Sequence, residues 1–430
     1  MSRYYSIVIL LFLSACNDDV VSVATDGDEP TCGNGDLEGG DACTSICQLS
    51  STPLGCVTLL EGVGVGDERA AGLLLLADGS FIAGGAYSPT DDGLRAWLGR
   101  FDASGEALWL EEPALDDDTT SELLALDTLG TDASAGAWAL LREGETQQVL
   151  QFDTQGTVAA RLDLEALSDD PEGPGDALDM VATPGALWLA GTRASDLWLG
   201  RLALDGQVLT TVLIEDGAGF HDEARTLARS EAGVALAATI ATGPEFIEDV
   251  GVLPPSRVLV IAFDLGGHEL ARSTLGADEQ GVARHAEAII SDGAEGWIVG
   301  GTQYEAGALP WTHDAWMAHV HPAQGWEWES AGPDTVSGVA SLRNLASLHQ
   351  GSVLSVGYAV IDGQSHAWLT CSDLDSGETR WQSERSPPEG YDYAQSDVAA
   401  WDGDTQLRTS GLVKTHFERS AVQSCLFSAE

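Results

Sequence analysis

The amino-acid sequence predicts an all-β fold, a seven-bladed β-propeller, on three observations. Short apolar or alternating runs are separated by Asp-Gly pairs, which are signals of β-hairpins; examples are Asp78-Gly79, Asp205-Gly206 and Asp292-Gly293. The runs recur as seven copies of one pattern. The last copy is one strand short, and a spare strand precedes the first copy. We therefore expect residues 53–430 to form the propeller.

Each copy contains two apolar segments, the first of which ends at or near a glycine in most copies. The paired segments are 80–85 with 96–102, 137–141 with 149–153, 187–192 with 197–201, 234–239 with 258–264, 297–302 with 315–319, 353–357 with 367–371, and 407–411 with 421–427. The repeat length is about 54 residues, enough for a four-stranded blade. One blade cannot bury both faces alone, so the copies must stack around an axis and close. A helical interpretation of 223–238 disagrees with the other copies.

The two ends of the repeat region are expected to pair. The last copy stops after a third strand, 420–428, whereas 54–60 precedes the first inner strand. The N-terminal strand can therefore complete the last blade. Cys56 would then lie beside Cys425, and a disulfide between them would lock the closure; pairing of either residue with Cys371 remains open.

Two segments carry a resemblance to a known repeat. Residues 102–109 (DASGEALW) and 373–381 (DLDSGETRW) resemble the outer-strand motif of quinoprotein-like bacterial propellers. The resemblance implies that Trp109 and Trp381 pack between blades. It implies no quinone site, because the chain lacks the adjacent cysteines expected of quinoprotein dehydrogenases.

The N-terminus predicts export. Residues 7–13 form an apolar run too short to span a membrane as a permanent helix, which is typical of a signal peptide. Leu13-Ser14-Ala15-Cys16 resembles the lipobox of bacterial lipoproteins, which implies removal of residues 1–15 and acylation of Cys16. The alternative is an ordinary secretory signal. Asn17, where some retained lipoproteins have Asp, favours the outer over the inner membrane.

Two short segments follow the predicted cleavage site. Residues 16–31 are polar and acidic without alternation, which predicts a flexible tether. Residues 32–50 resemble a short Cys-rich repeat of bacterial surface proteins, although its acidic middle is missing. So small a segment needs covalent links to hold a shape, so Cys32, Cys43 and Cys47 are disulfide candidates, with pairing open.

The composition limits the partners. The chain has 68 acidic and 19 basic residues, for a formal net charge of −49. Such a field repels nucleic acid, anionic lipid and polyanionic polysaccharide. Acidic clusters could gather Ca²⁺ loosely, but none has the spacing of a calcium loop. We expect no firm cofactor and a monomer.

The sequence contains few candidates for chemistry. It has no nucleophile elbow, zinc-protease motif or phosphate-binding loop. The richest polar cluster is 311–321, in which His319 and His321 would lie on the same face of a strand and could form half of a metal site. The favoured interpretation is instead that residue type varies between copies at this outward-facing position of the repeat. Four residues just before inner strands are candidates for a ligand-binding rim, against an interpretation as polar loops: His221, Asp222, Arg284 and His285.

These observations favour a lipid-anchored module of the cell envelope that binds or scaffolds a protein, peptide or glycan. One alternative is a carbohydrate-active hydrolase or lyase with carboxylates at the central channel. Another is a purely structural envelope lipoprotein. Convergent acids with His or Arg at one end of the channel would favour the enzyme, whereas an aromatic rim without perturbed acids would favour binding. The lack of a catalytic motif favours binding over catalysis.

Overall fold

The computed structural model describes residues 55–62, 69–88, 94–113, 119–129, 136–165, 175–193, 195–214, 222–242, 255–275, 282–305, 313–321, 324–332, 339–348, 351–362, 364–387, 393–394, 398–401, 406–414 and 420–428. Its strands are β1 Gly55–Gly62, β2 Arg69–Leu75, β3 Phe81–Tyr87, β4 Arg95–Phe101, β5 Ala107–Glu111, β6 Ser121–Asp127, β7 Ala137–Glu143, β8 Thr146–Phe152, β9 Val158–Asp163, β10 Asp176–Thr183, β11 Ala186–Arg193, β12 Asp196–Ala203, β13 Val208–Ile214, β14 Glu223–Arg229, β15 Gly233–Ala241, β16 Ser256–Asp264, β17 Glu269–Leu275, β18 Val282–Ser291, β19 Trp297–Glu305, β20 Asp314–His321, β21 Gly325–Ala331, β22 Ala340–Leu348, β23 Ser352–Ile361, β24 Gln364–Asp373, β25 Thr379–Arg385, β26 Tyr393–Ala394, β27 Val398–Trp401, β28 Gln406–Lys414 and β29 Ser420–Ser428.

The strands form an all-β propeller, which confirms the predicted fold class. Five consecutive sets, β2–β5, β6–β9, β10–β13, β14–β17 and β18–β21, are separate four-stranded antiparallel sheets. The remaining strands form one nine-stranded sheet, so the described residues contain six sheets and not the seven predicted. The physical reason is β26, which pairs in parallel with β24 at Ser365 and Tyr393 and antiparallel with β28. This short strand bridges β22–β25 to β27–β29.

The first strand of each set lies innermost. β2 contacts β6, and the contacts continue through β10, β14, β18 and β22 to β27, which also contacts β2. Residues of β2, β6, β10, β14, β18 and β22 line a central cavity of about 210 Å³. The nine-stranded sheet supplies two of the inner strands, β22 and β27.

The chain termini of the described region meet in the nine-stranded sheet. β1 pairs antiparallel with β29, and the register places Cys56 opposite Cys425. The two residues form a disulfide, with Cα atoms 4.1 Å apart. Cys371 is buried on β24 and is not part of this bond. The candidates Cys16, Cys32, Cys43 and Cys47 lie outside the described residues.

The hydrophobic core lies between neighbouring sheets. One cluster combines Trp188 and Leu199 of the third sheet with Leu236 and Phe263 of the fourth. Each sheet is therefore buried on both faces by its neighbours, which explains the continuous apolar runs in the middle strands. No helix among the described residues has the length and hydropathy required to cross a membrane.

Tryptophans on outer strands fasten neighbouring sheets. Trp109 on β5 stacks on Phe152 of the next sheet, with ring centroids 6.4 Å apart, and its Nε1–H donates to the Thr154 carbonyl at 3.2 Å. Trp328 on β21 likewise donates to the Leu374 carbonyl at 3.0 Å. Trp381 packs against a core cluster that reaches the last strand. The packing between sheets that the repeat resemblance implies is therefore present for Trp109, whereas the cluster around Trp381 lies within the nine-stranded sheet.

The Trp109 contact provides a test of sheet packing. We expect Trp109→Ala to lower the free energy of unfolding by about 2 kcal/mol, less than for a fully buried tryptophan because the side chain is half-buried. The measurement is urea denaturation followed by far-UV circular dichroism. Leu108→Ala is the control, because Leu108 is the adjacent residue on β5 and is 57% exposed. Equal destabilisation by both changes would contradict the inter-sheet role of Trp109.

Candidate functional site

A β-bulge recurs in the inner strand of six sets. In each case one residue of the inner strand is skipped in the pairing with the second strand. Bulges re-aim side chains, and they are common next to functional sites. The skipped residues, which define what we call the mouth of the channel, are Ala71, Leu124, Leu178, Arg225, Glu287 and Arg343.

The mouth is apolar on one side and charged on the other. The first three of these strands present small or apolar residues, whereas the next three present Arg225, Glu287 and Arg343. Arg225 donates from Nη1 to Oε2 of Glu287 at 3.0 Å. Nη1 of Arg343 lies 3.7 Å from the same oxygen, and Nε of Arg225 lies 2.7 Å from Oε2 of Glu223. Three neighbouring inner strands are thereby joined by one network of ion pairs.

A row of aromatic side chains adjoins this network. The His285 ring lies 5.3 Å from that of Tyr304, which lies 5.3 Å from His313. His313 contacts Tyr358, whose hydroxyl is 3.3 Å from Nε2 of the histidine. The guanidinium of Arg343 lies 5.3 Å from the centre of the Tyr358 ring. We call the three charged residues and these four rings the polar half of the mouth; all seven are half-buried.

The electrostatics of the polar half keep Glu287 ionised and His285 neutral. Burial raises the pKa of Glu287, but the positive charges of Arg225 and Arg343 outweigh it, so the net shift is downward. Burial lowers the pKa of His285. Burial, together with the negative charge of Glu287, raises the pKa of Tyr304 to about 12. At neutral pH the polar half therefore offers the carboxylate of Glu287, two guanidinium groups, the neutral imidazole of His285 and the protonated phenol of Tyr304.

A second polar layer lines the walls of the central cavity. Asp179 on β10 accepts hydrogen bonds from the backbone N–H of Met180 at 2.7 Å and of Leu227 on β14 at 2.6 Å. Asp127, at the end of β6, accepts from the backbone N–H of Ala182 at 2.7 Å and lies 3.2 Å from Nη1 of Arg229. These carboxylates bind the inner strands of three neighbouring sheets to one another.

Burial dominates the titration of this layer. Desolvation raises the pKa of Asp179 to about 7, with Asp127 adding to the rise and hydrogen bonds opposing it. Desolvation also raises the pKa of Asp127, against the positive charge of Arg229. Both oxygens of each carboxylate already accept hydrogen bonds from the protein, so this layer is built to hold the strands together rather than to coordinate a cation.

The described residues predicted to form a ligand-binding rim do not lie together in the structure. His285 belongs to the polar half. Arg284, its neighbour, instead pairs with Glu329 at 2.5 Å and stacks on Trp316 within the fifth sheet. Asp222 is 1% exposed and accepts the backbone N–H of Ala241. Both are structural at these contacts, and His221 lies outside the described residues.

His319 and His321 are not brought together as a metal site. His319 is 8% exposed and lies between Oδ2 of Asp292, 3.1 Å from its Nε2, and Oε2 of Glu327, 2.8 Å from its Nδ1. His321 points to Glu295, with a separation of 3.8 Å. Across the described ranges, no cluster of three or more His, Cys, Asp or Glu side chains could hold a metal ion.

The contact of His319 has a counterpart in the first sheet. There Arg100 pairs with Asp78 of the hairpin turn at 2.7 Å, in the same arrangement as His319 with Asp292. Both pairs fasten a turn between the first two strands to the third strand of the same sheet. This supports the interpretation of His319 as variation of a structural position.

Comparison with known proteins identifies no family. No protein-family model matches the chain, and no curated protein matches it. Its structure is similar to that of a protein of unknown function from Dyadobacter fermentans DSM 18053, with a TM-score of 0.51 and 9% identity over 87% of this chain and 99% of that one. Sqt1 from Chaetomium thermophilum, solved with the N-terminus of ribosomal protein L10, has a TM-score of 0.46 and 10% identity over 85% and 99% of the two chains. At these identities the likeness is one of fold alone.

Proposed function

We propose that this chain is an exported, lipid-anchored module of the bacterial cell envelope that binds a ligand at the polar half of its channel mouth. The observation that carries the proposal is the convergence of Arg225, Glu287 and Arg343 with a row of four aromatic rings. Concave sites with a few convergent polar groups beside aromatic surface are typical of ligand binding. The corresponding positions of the first three sheets are apolar, so the repeat does not require these charges.

Export and anchoring are supported by two features. The lipobox-like sequence that ends at Cys16 predicts acylation, and the outer membrane is the favoured location. The disulfide between Cys56 and Cys425 is of a kind that persists in oxidising compartments such as the bacterial periplasm or the cell surface. We also propose that the nine-stranded sheet represents two blades, β22–β25 and β27–β29 with β1, because its two inner strands take successive places around the cavity.

Glu223 and Glu287 converge with arginines at the mouth, which meets the criterion given above for an enzyme. The protonation state of Glu287 nevertheless favours binding over hydrolysis. A glycoside hydrolase of the two-carboxylate type needs one protonated carboxylic acid as its general acid. The arginines instead hold Glu287 in its charged form, and Glu223 contacts Arg225. The buried Asp179 has a raised pKa, but its oxygens are bonded to the backbone of two inner strands. We therefore rank the hydrolase below the binding module.

A matched pair of double variants tests the proposed site. The double variant Glu287→Gln with Arg343→Met removes opposite charges from the mouth and leaves the net charge unchanged. We expect it to weaken binding of an envelope glycan or peptide at least tenfold, because charge-assisted hydrogen bonds are lost. Binding is measured by calorimetry on the full-length chain carrying Cys16→Ser, with the ligand drawn from a screen of defined glycans and peptides.

The control removes an ion pair of the same kind far from the mouth. Glu269 and Arg272 on the outer strand β17 are 2.8 Å apart and exposed. Glu269→Gln with Arg272→Met should leave affinity unchanged. A ligand whose affinity responds equally to both double variants binds elsewhere, and the proposal would then be wrong.

A further inference from the structure

We infer that the ligand of the polar half is a neutral sugar, bound as a terminal pyranose of a glycan. This inference rests on the proposed function and specifies its substrate class. It follows from three properties of the site: its charges are already paired, its surface is aromatic, and the buried Nε2 of His285 has no hydrogen-bond partner among the described residues.

The first property is charge balance. Glu223, Arg225, Glu287 and Arg343 alternate in sign, and each lies within 3.7 Å of an opposite charge. A charged ligand would have to break these pairs and lose its own hydration, a cost that buried ion pairs seldom recover. A hydroxyl group avoids this cost, because it donates to a carboxylate and accepts from a guanidinium at the same time.

The carboxylate has room for such a hydroxyl. Both guanidinium contacts with Glu287 fall on Oε2. Among the described residues, Oε1 therefore keeps its acceptor capacity. Neighbouring hydroxyls of a pyranose can bond to Oε1 and to a guanidinium without separating the ion pairs. The alternation of acids and bases across three strands suits a run of such hydroxyls.

The second property is the aromatic row. Tyr304 and Tyr358 lie on second strands of neighbouring sets, β19 and β23, with His313 between their rings. The C–H face of a pyranose is apolar and packs against an aromatic face, while its hydroxyls point outward to polar partners. The phenol of Tyr304 stays protonated at neutral pH because its pKa is raised to about 12, so it can donate to a sugar oxygen.

The third property is an unsatisfied nitrogen. Nε2 of His285 is buried and has no hydrogen-bond partner among the described residues. A buried polar atom without a partner is destabilising, and a ligand hydroxyl would supply the missing hydrogen bond. The net charge of −49 adds an argument against anionic sugars, since the field of the whole chain repels them.

Saturation-transfer NMR with defined small probes tests the ligand class. The probes are the methyl glycosides of glucose, galactose and mannose, with methyl glucuronide as the anionic comparator, glucosamine as the cationic one and trialanine as the peptide. The protein is the full-length chain carrying Cys16→Ser. We expect saturation of the ring C–H protons of at least one neutral glycoside and at least tenfold weaker binding of the charged sugars and the peptide.

Variants then locate the bound sugar. Tyr304→Ala is expected to reduce affinity at least tenfold, and Tyr304→Phe several-fold, because the latter keeps the ring but loses the donor. Tyr87→Phe is the control, since Tyr87 lies in the first sheet, which contributes no residue to the polar half, and donates to Glu112. Near-UV circular dichroism identifies variants that fail to fold, and the conservative Phe change supplies the result if Ala does not fold.

The outcomes separate the two proposals. Binding of trialanine or the glucuronide, but of no neutral glycoside, with sensitivity to Glu287→Gln and Arg343→Met, would overturn the sugar inference and leave the mouth as the binding site. Binding of a neutral glycoside with an affinity that no mouth variant changes would overturn both proposals. Absence of binding by all probes, including the glycan screen, would also overturn both.

Discussion

Replacement of Cys56 by Ser is expected to lower the free energy of unfolding by up to about 6 kcal/mol, the largest effect we predict for a single residue. The disulfide joins residues 369 positions apart, so it removes a very large closed loop from the freedom of the unfolded chain. The loop-closure relation gives about 6 kcal/mol for such a loop, as an upper bound because denatured chains keep residual structure. The measurement is guanidinium denaturation with and without a reducing agent.

The cysteine that takes no part in this bond supplies the control. Cys371 is buried on β24, in the same core cluster as Cys425. Reducing agent should destabilise the wild type and Cys371→Ser by the same amount, because both contain the Cys56–Cys425 disulfide. Cys56→Ser lacks this disulfide and should not lose that contribution on reduction. Continued sensitivity of Cys56→Ser to the reducing agent, equal to that of the wild type, would show that this disulfide does not hold the ends together.

The buried Asp179 is expected to make the protein less stable as the pH rises. Its folded-state pKa is raised to about 7 from an ordinary value of 3.8, mainly by desolvation. Between pH 3.8 and about pH 7, Asp179 therefore stays protonated in the folded chain but is ionised in the unfolded chain. The favourable contribution is complete below pH 4 and is lost as the pH rises through 7. The shift of about three units corresponds to about 4 kcal/mol.

Asp179→Asn isolates this contribution because the amide does not titrate. We expect the unfolding free energy of the wild type, relative to that of the variant, to fall by up to about 4 kcal/mol from pH 4 to pH 8. The measurement is urea denaturation at a series of pH values. Asn344→Ala, at another residue that lines the cavity, is the control, and its offset from the wild type should not change with pH. A parallel pair of profiles for wild type and Asp179→Asn would contradict the prediction.

Several features of the fold could be predicted because their signals are local. Asp-Gly pairs are local signals of hairpins, and Gly79, Gly206 and Gly293 indeed have φ values of 80°, 88° and 84°. The pairing of β1 with β29 could be predicted because the last copy lacked a strand. The number of separate sheets could not, since β26 is two residues long and carries no sequence signal.

The candidate site was predictable only in part. His285 was identified because it was predicted to lie just before an inner strand, but the structure places both it and Arg284 within β18. Arg284 satisfied the same criterion and contacts a different partner. Glu287 and Arg343 were missed because single charged residues in apolar strands look like ordinary exposed positions. The missing signal was the bulge, which is visible only in the pairing of strands.

The sequence by itself determined that this chain forms hairpins, that the hairpins repeat and that the ends of the repeat region complement each other. These properties depend on residues close together in the chain, or on counting copies. Only the tertiary structure decided which charges meet, because Arg225 and Glu287 are 62 positions apart and face each other only when their inner strands stand side by side. A bulge of one residue turns each of them toward the mouth, and no local pattern encodes that turn.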